Sequence, residues 1–230
     1  MRRGVFVTGT DTGVGKTIAA CALIHALRSA GERVAPMKPV AAGAVERSGL
    51  RVNEDSVALM DAAGLALDDI DRVTPVLLAE PMAPHIAAAR EGRRIKLEPV
   101  LAALEAASPG GRFLVVEGVG GFLVPLGDAL DTADLARAVG LPVVLVVGLR
   151  LGCLNHALLT ARAIEGAGLA LAGWIANEVD PAMAVPDENV AALRARLRAP
   201  LLGRLPWGDP PDPRELAERL DVRPLLGRDA

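Results

Sequence analysis

Short apolar runs alternate along this chain with segments of helical periodicity. The run Phe113-Leu114-Val115-Val116 contains no polar residue, and residues 142–147 have the same character. Continuous apolar runs are typical of parallel strands that are covered by helices on both faces. Strands that alternate with helices also favour a parallel sheet. The pattern therefore predicts one α/β domain over residues 1–230, with a mostly parallel sheet between two layers of helices.

Glycine, proline and capping residues set the expected boundaries of these elements. Asn53 or Asp55 is expected to cap a helix that Gly64 ends, and Pro39 is expected to end the second strand because it has no N–H to donate. Residues 41–52 are expected to form a loop of small residues. The predicted strands are 4–9, 33–37, 74–78, 112–116, 142–147, 169–176 and 201–205, and the predicted helices are 15–30, 53–63, 82–90, 97–107, 131–139, 155–167, 190–197 and 214–220.

Composition narrows the class of protein further. Hydrophobic residues make up 51% of the sequence, which favours a large core over disorder. A net charge of −3 provides no basic field, so nucleic acid is not an expected partner. Cys21 and Cys153 have no metal-binding spacing and fit a reducing compartment. The first apolar run is too short for a signal peptide, and no run is long enough to span a membrane, so a cytoplasmic protein without a membrane partner is expected.

Residues 8–17, Thr-Gly-Thr-Asp-Thr-Gly-Val-Gly-Lys-Thr, join the first strand to the first helix. A glycine-rich turn in this position, ending in Gly-Lys-Thr, points backbone N–H groups and the helix dipole at a phosphate. We call this segment the P-loop and expect a P-loop NTPase fold. Lys16 would contact the outer phosphates, and Thr17 would bind Mg²⁺. Thr10 stands where the usual pattern has glycine, and the alternative is a glycine-rich turn that binds nothing.

Further polar residues follow the predicted strands, at the edge where ligands bind in parallel sheets. Lys38, Glu117, Asn177 and residues 148–155 share this edge with the P-loop. Glu117 is a candidate ligand for Mg²⁺ held by nucleotide phosphates, and Asp55 is a candidate third oxygen ligand beside Thr17. Lys38 could neutralise charge that develops during phosphoryl transfer.

Each of these residues also has an alternative interpretation. Glu117 could cap the following turn, Asp55 could be an acid at a helix start, and Lys38 could be solvated. His85 is expected to be a packed or capping residue, as are His25 and His156. The sequence shows no Ser-His-Asp arrangement and no histidine cluster suited to zinc.

The motifs together carry a resemblance that extends over residues 4–207. The series resembles the ATP-dependent dethiobiotin synthetases of biotin biosynthesis. The P-loop alone is shared by many families, whereas the ordered series is specific, and the C-terminal residues match only loosely. After the P-loop come Lys38-Pro39-Val40, Glu80-Pro81 with Pro84-His85, Val116-Glu117-Gly118-Val119-Gly120-Gly121, Leu151-Gly152-Cys153-Leu154-Asn155-His156-Ala157, Ala172-Gly173-Trp174-Ile175-Ala176-Asn177 and Leu205-Pro206-Trp207.

The resemblance implies an ATP- and Mg²⁺-dependent reaction of 7,8-diaminononanoate with CO₂. One amine forms a carbamate that attacks the γ-phosphate, and the second amine then displaces phosphate and closes the cyclic urea of dethiobiotin. Lys16 and Lys38 would be the catalytic residues, and Thr17, Asp55 and Glu117 the metal ligands. The implied nucleotide-binding residues are Gly13, Val14, Gly15, Lys16, Thr17, Ile18, Asp55, Glu117, Gly118, Val119, Gly120, Asn177, Pro206, Trp207 and Gly208. The implied substrate-binding residues are Thr12, Lys38, Ala42, Pro81, Gly152, Cys153, Leu154 and Asn155.

Residues 152–155 open a predicted helix, and a helix start attracts anions. They could bind the substrate carboxylate, or they could form an ordinary capped helix. The resemblance implies that they reach the site of a partner chain in a two-fold homodimer. The sequence departs from the family at Ala42, where serine is frequent, and at Gly13, where some members have glutamate.

Two other families were considered. Switch ATPases of the chromosome-partitioning type carry a second lysine early in the P-loop, and Thr8 to Thr10 include none. The cobyrinate amidating synthetases need a glutaminase domain with a nucleophilic cysteine. This chain is short for that, and both of its cysteines lie in predicted helices.

Overall fold

The computed structural model describes residues 2–208 and 212–227, in which six parallel strands form a central sheet. The strands are β1 Arg3–Gly9, β2 Val34–Met37, β3 Val40–Ala42, β4 Val45–Arg47, β5 Leu50–Val52, β6 Val76–Leu78, β7 Phe113–Glu117, β8 Val143–Leu149, β9 Leu171–Glu178 and β10 Leu201–Leu205. The central sheet has the order β10-β9-β8-β1-β7-β2. This order places β1, with the P-loop at its carboxyl end, between β7 and β8.

Helices connect the strands and cover both faces of the sheet. They are α1 Lys16–Ser29, α2 Glu54–Ala63, α3 Ile70–Val73, α4 Pro84–Arg90, α5 Leu97–Ala107, α6 Thr132–Val139, α7 Cys153–Gly166, α8 Pro186–Arg194 and α9 Pro213–Ala217. Two 3₁₀ turns, Leu67–Asp69 and Arg223–Leu226, complete the described structure. The predicted doubly covered α/β fold is confirmed.

Alternate side chains of the central strands pack into separate hydrophobic cores on the two faces of the sheet. Val5 and Val7 of β1 pack with α1 on one face, whereas Phe6 packs with residues of α5 and α6 on the other. Successive side chains of a strand point to opposite faces, so both faces must be apolar to be buried. This explains why β1, β7 and β8 have no polar break until their carboxyl ends.

The expectation of a plain loop over residues 41–52 was wrong. Ser48 and Gly49 both have positive φ, 52° and 77°, and form the two-residue turn of an antiparallel hairpin between β4 and β5. The preceding strand β3 pairs in parallel with β6, so residues 76–78 lie in a small second sheet and not in the central one. Small residues on β3 concealed its strand character, although Val40 and Ala41 are buried.

Local capping explains where several helices begin. The Asn53 side chain accepts from Asp55 N at the start of α2, and Gly64, with φ 73°, ends the helix. A capping box opens α6, because Asp131 accepts from Asp134 N at 2.8 Å and Asp134 accepts from Asp131 N at 2.9 Å. The helix therefore begins at the end of the loop that follows β7.

Removing this cap should lower stability. We expect Asp131→Ala to reduce the free energy of unfolding by about 1 kcal/mol, since it leaves N–H groups of α6 without an acceptor. Thermal unfolding should show a decrease of about 2–4 °C in Tm. Asp128→Ala, at an exposed position in the same loop, is the control, and equal effects of the two substitutions would contradict the capping role.

Candidate functional site

A cavity of about 640 Å³ lies at the carboxyl ends of the strands, between the P-loop, β3 and the segments that follow β2, β6 and β7. It brings together twelve of the residues singled out from the sequence: Thr12, Gly13, Gly15, Lys16, Thr17, Lys38, Ala42, Asp55, Pro81, Glu117, Val119 and Gly120. Pro84, quoted above only as part of a motif, also lines the cavity, and the sequence reasoning missed the other lining residues, Ala41, Met82, Ala83 and Val124. Those residues carry no polar group that could have marked them.

The P-loop has the backbone shape that phosphate binding requires. Gly13 and Gly15 have φ of 73° and 79°, in the left-handed region that favours glycine. A Cβ at Gly15 would lie 2.1 Å from Nδ2 of Asn177. The same Asn177 amide donates to the Val14 carbonyl at 3.0 Å. Asn177, near the end of β9, therefore packs against the P-loop and holds its backbone in place. The sequence did not indicate this packing role.

Lys16 opens α1 and reaches across the P-loop. Its Nζ donates to the Asp11 carbonyl at 3.0 Å, and the residue is only 7% exposed. Burial lowers the pKa of Lys16, the Glu117 carboxylate opposes this shift, and the nearby Lys38 cation adds to it. The ammonium group thus lies in a partly desolvated place, where its charge acts more strongly on an anion than it would in water.

Lys38, just after β2, is the more buried of the two lysines of the site, at 3% exposure. Its three N–H bonds match three acceptors: Glu117 Oε1 at 2.5 Å, Asp55 Oδ2 at 2.8 Å and the Gly118 carbonyl at 3.2 Å. Burial alone would lower the pKa of Lys38, but the carboxylates of Glu117 and Asp55 outweigh burial and raise it. Lys38 therefore forms buried ion pairs with Glu117 and Asp55 and is not a solvated lysine.

The side-chain oxygens of Asp55, Glu117 and Thr17 lie close together beside Lys38. Thr17 Oγ1 donates to Glu117 Oε1 at 3.0 Å. Burial alone would raise the pKa of Asp55, but Lys38 and the Thr17 hydroxyl hold it below its usual range. Glu117 Oε2 is buried and has no hydrogen-bond partner among the described residues. This unpaired oxygen fits a hard cation.

The start of α2 places Asp55 in this group. Asn53 Nδ2 donates to the carbonyls of Ala42 and Gly43, both at 3.2 Å, while its oxygen accepts from Asp55 N at 3.1 Å. Asn53 therefore joins the helix start to the end of β3. Asp55 does lie in the first helical turn, as its alternative interpretation held, and its carboxylate also reaches Lys38.

Other predicted residues lie outside the cavity lining. Val14 is a buried residue of the P-loop, and the backbone carbonyl of Gly118 accepts from Lys38. Ile18 lines a second groove of about 510 Å³ beside α1, next to Thr17, which lines both. Pro206, Trp207 and Gly208 follow β10, where the Trp207 N–H donates to Glu178 Oε2 at 3.3 Å.

Residues 152–155, which we call the α7 start, do not reach the cavity of their own chain. Gly152 has φ 94° and caps the helix, and Cys153 is buried in the core. Asn155 is exposed, and Leu151, directly before the segment, is 96% exposed. The α7 start is thus preceded by a hydrophobic side chain, that of Leu151, which packs against almost nothing in its own chain.

Among the described residues, the histidines and the other residue types that bind metals form no second candidate site. His85 Nδ1 lies 3.2 Å from the Pro125 carbonyl, and none of the three histidines lines the cavity. Over residues 2–208 and 212–227 no cluster of three or more His, Cys, Asp or Glu could hold a metal. The same part of the chain contains no helix that is long and apolar enough to cross a membrane.

Comparisons with known proteins agree with this geometry. A family model described as an AAA domain matches residues 3–214. The ATP-dependent dethiobiotin synthetase BioD of Aromatoleum aromaticum (strain DSM 19018 / LMG 30748 / EbN1) is 54% identical over 218 residues, which are 95% of this chain and 96% of the relative.

Two solved structures share the fold at low identity. Chloroplast FtsY from Physcomitrella patens has a TM-score of 0.53 at 18% identity, over 95% of this chain and 65% of its own. This chain therefore spans less than two thirds of FtsY. The septum site-determining protein MinD from Pyrococcus horikoshii, complexed with Mg-ADP, has a TM-score of 0.51 at 18% identity, over 100% of this chain and 90% of its own. At such identities the likeness concerns the P-loop NTPase fold alone.

Removing only one charge of the buried Lys38–Glu117 pair should destabilise the fold more than removing both charges. We expect Lys38→Met to lower the free energy of unfolding by about 3–5 kcal/mol, because it leaves the buried Glu117 carboxylate without its counter-charge. Adding Glu117→Gln should recover part of the loss, since a neutral amide needs no cation. Urea unfolding measures both effects. Lys96→Met, at an exposed position, is the control, and a Lys38→Met protein as stable as this control would contradict the ion-pair assignment.

Proposed function

The chain belongs to the ATP-dependent dethiobiotin synthetases, and from this membership we propose that it converts 7,8-diaminononanoate, CO₂ and MgATP into dethiobiotin, ADP and phosphate. It is an ATP-dependent ligase. The observation that carries the proposal is the convergence of Lys16 and Lys38 with Thr17, Asp55 and Glu117 on one cavity. A reaction between two anions needs cations beside them, and here these would be Lys16, Lys38 and the Mg²⁺ that the two acids would help to hold.

The nucleotide would bind with its phosphates on the P-loop. The N–H groups from Gly13 to Ile18 and the Lys16 ammonium are the donors for the phosphate oxygens. The segment from Gly118 to Gly120 would close the other side of the triphosphate. The base would lie beside Asn177 and against Pro206, Trp207 and Gly208. Since the Asn177 nitrogen already donates to Val14, its oxygen is the atom left to accept from an adenine amino group.

Thr17, Asp55 and Glu117 would hold Mg²⁺ together with phosphate oxygens. A hydroxyl and two carboxylates, one of them with the unpaired Glu117 Oε2, suit a cation that binds through few protein ligands and keeps phosphate and water in its shell. Bound there, the ion would neutralise charge on the β- and γ-phosphates. Lys38 contacts both acids, so it would tie the position of these ligands to that of the reacting groups.

The substrate diamine would lie in the same cavity, between Thr12, Ala42 and Pro81. One amine takes up CO₂, loses a proton and becomes a carbamate, whose oxygen attacks the γ-phosphorus and displaces ADP. The second amine attacks the carbonyl carbon of the carbamic–phosphoric anhydride and loses a proton, phosphate leaves with the bridging oxygen, and the urea ring closes. No covalent enzyme nucleophile is needed. The methyl group of Ala42 offers no hydrogen bond where many relatives have a serine hydroxyl.

Lys16 and Lys38 have different parts in this scheme. Lys16, at the P-loop, would stabilise the outer phosphates through the transfer. Lys38 would favour the approach of the anionic carbamate to the γ-phosphate through its charge. A direct hydrogen bond from Lys38 to the substrate requires one of its three present acceptors to be exchanged.

The alternative of a partitioning-type switch ATPase has less support. The likeness to MinD concerns the fold, whereas the 54% identity to a synthetase covers almost the whole chain. The early P-loop also lacks the second lysine of that group. We further propose that residues 1–230 act as a single catalytic domain in the cytoplasm, on small molecules, with no nucleic acid or membrane partner.

The function is tested by product formation. Purified protein supplied with diaminononanoate, bicarbonate and MgATP should form dethiobiotin, detected by mass spectrometry. Lys16→Ala should lower the rate about a hundredfold or more, since one lost charge contact costs on the order of 3 kcal/mol of transition-state stabilisation. Lys96→Ala, at an exposed position, should keep the wild-type rate. ATP hydrolysis without dethiobiotin in the wild type would reject the function, and near-normal synthesis by Lys16→Ala would reject the P-loop assignment.

We also propose that the active protein is a two-fold homodimer in which the α7 start of one chain completes the cavity of the other. The start of this 14-residue helix offers free N–H groups to an anion, and the substrate carries a carboxylate at its far end. Leu151, directly before the α7 start, and Leu159, on α7, are 96% and 57% exposed. A subunit interface would remove these leucines from water.

Subunit mixing tests the shared site. One chain carries Lys16→Ala and the other carries Asn155→Asp, which would repel the substrate carboxylate. Each should be inactive alone. After random exchange half of the dimers are mixed, and one of the two sites in each draws both intact residues, so roughly a quarter of full activity should return. Mixed chains that form heterodimers but stay inactive would place the whole site within one chain.

A further inference from the structure

An ion pair links the P-loop to the segment that leads into α7. Arg150 Nη2 lies 2.5 Å from Asp11 Oδ2, across 139 positions of sequence. Arg150 is the first residue after β8, and Asp11 lies in the middle of the P-loop. The family resemblance assigned no role to either residue, and the proposed reaction does not use them.

Asp11 holds two other P-loop residues in place. Its Oδ1 accepts from the Thr12 N–H at 2.8 Å, and its carbonyl accepts from Lys16 Nζ at 3.0 Å. The carboxylate that meets Arg150 therefore belongs to a residue whose backbone contacts the phosphate-binding lysine. A movement of the P-loop around a triphosphate would move Asp11.

Arg150 is connected in turn to the α7 start. Its carbonyl accepts from the Cys153 N–H at 3.0 Å, which is the first backbone contact of that helix. Only Leu151 separates Arg150 from Gly152 in the sequence. A continuous series of contacts thus runs from Lys16 through Asp11 and Arg150 to Cys153, and it joins the nucleotide loop to the segment proposed to bind a carboxylate.

We propose that Arg150 is a positioning residue that couples nucleotide binding at the P-loop to substrate binding at the α7 start. The inference rests on the proposed function and its shared site: each chain would adjust, through Arg150, the segment that it lends to its partner. Nucleotide on the P-loop then raises the affinity for the diamine, and the diamine raises the affinity for nucleotide by the same factor. The side chains of Arg150 and Asp11 are 38% and 50% exposed, so the contribution of the pair is modest.

The test compares the affinity for diaminononanoate with and without a non-hydrolysable ATP analogue and Mg²⁺, measured by calorimetry on the whole protein. In the wild type the analogue should tighten binding. In Arg150→Met the tightening should be about two- to fivefold smaller, the range expected from the loss of an exposed ion pair. Asp11→Asn should give a similar decrease, and the double variant should show no further decrease.

Two further variants separate coupling from a general structural effect. Arg150→Lys keeps the charge and should restore most of the tightening, whereas Arg162→Met, at an exposed position further along α7, should match the wild type. In steady state Arg150→Met should raise the KM for the diamine more than it lowers kcat. Thermal unfolding of the same variants shows whether the fold is intact.

The possible outcomes are distinct. The inference is overturned if the analogue does not tighten binding in the wild type, if Arg150→Met retains the full tightening, or if the two substitutions are additive. It is also overturned if Arg162→Met has the same effect as Arg150→Met. A wild-type protein that forms no dethiobiotin would instead reject the proposed function, and that assay is independent of the coupling measurement.

Discussion

The buried contact between Lys38 and Glu117 is the constraint on which the site depends. Their side chains are 3% and 0% exposed, and their atoms approach to 2.5 Å. Removing either charge from water costs several kcal/mol, so each residue is tolerable there only beside the other. The contact requires β2 and β7 to be neighbours with their carboxyl ends level, which is the register that the sheet has. Asp55 and Thr17 then join the same pair of charges from α2 and α1.

The parallel sheet explains why residues so far apart in sequence meet. Every central strand ends at the same edge, and each crossover returns the chain to the opposite edge, so the polar residues at the carboxyl ends of β1, β2, β7 and β9 gather in one place. The strands themselves have no room for such groups, because both of their faces are covered. Chemistry is thus confined to the ends of the strands, where the P-loop, Lys38, Glu117 and Asn177 lie.

The sequence predicts those features whose causes are local. Continuous apolar runs identified the central strands, Gly-Lys-Thr identified the P-loop, and the capping residues Asn53 and Asp55 identified the start of α2. The contacts of Asn177 with Val14, and of Arg150 with Asp11, join residues 163 and 139 positions apart, and no local pattern indicates them. The hairpin was missed although Ser48-Gly49 is a recognisable turn, because the flanking strands are only three residues long.

The charges that line the cavity indicate which group a complete substrate site would still need. Among the described residues that line it, the cations are Lys16 and Lys38. Lys16 is at the P-loop, and Lys38 already faces two carboxylates. A substrate that carries a carboxylate at its far end would find no further positive group in this lining. An anion in a partly apolar cavity needs a counter-charge or free N–H donors. The α7 start would offer such donors but does not line the cavity of its own chain, and the proposed second copy of the chain would bring the two together.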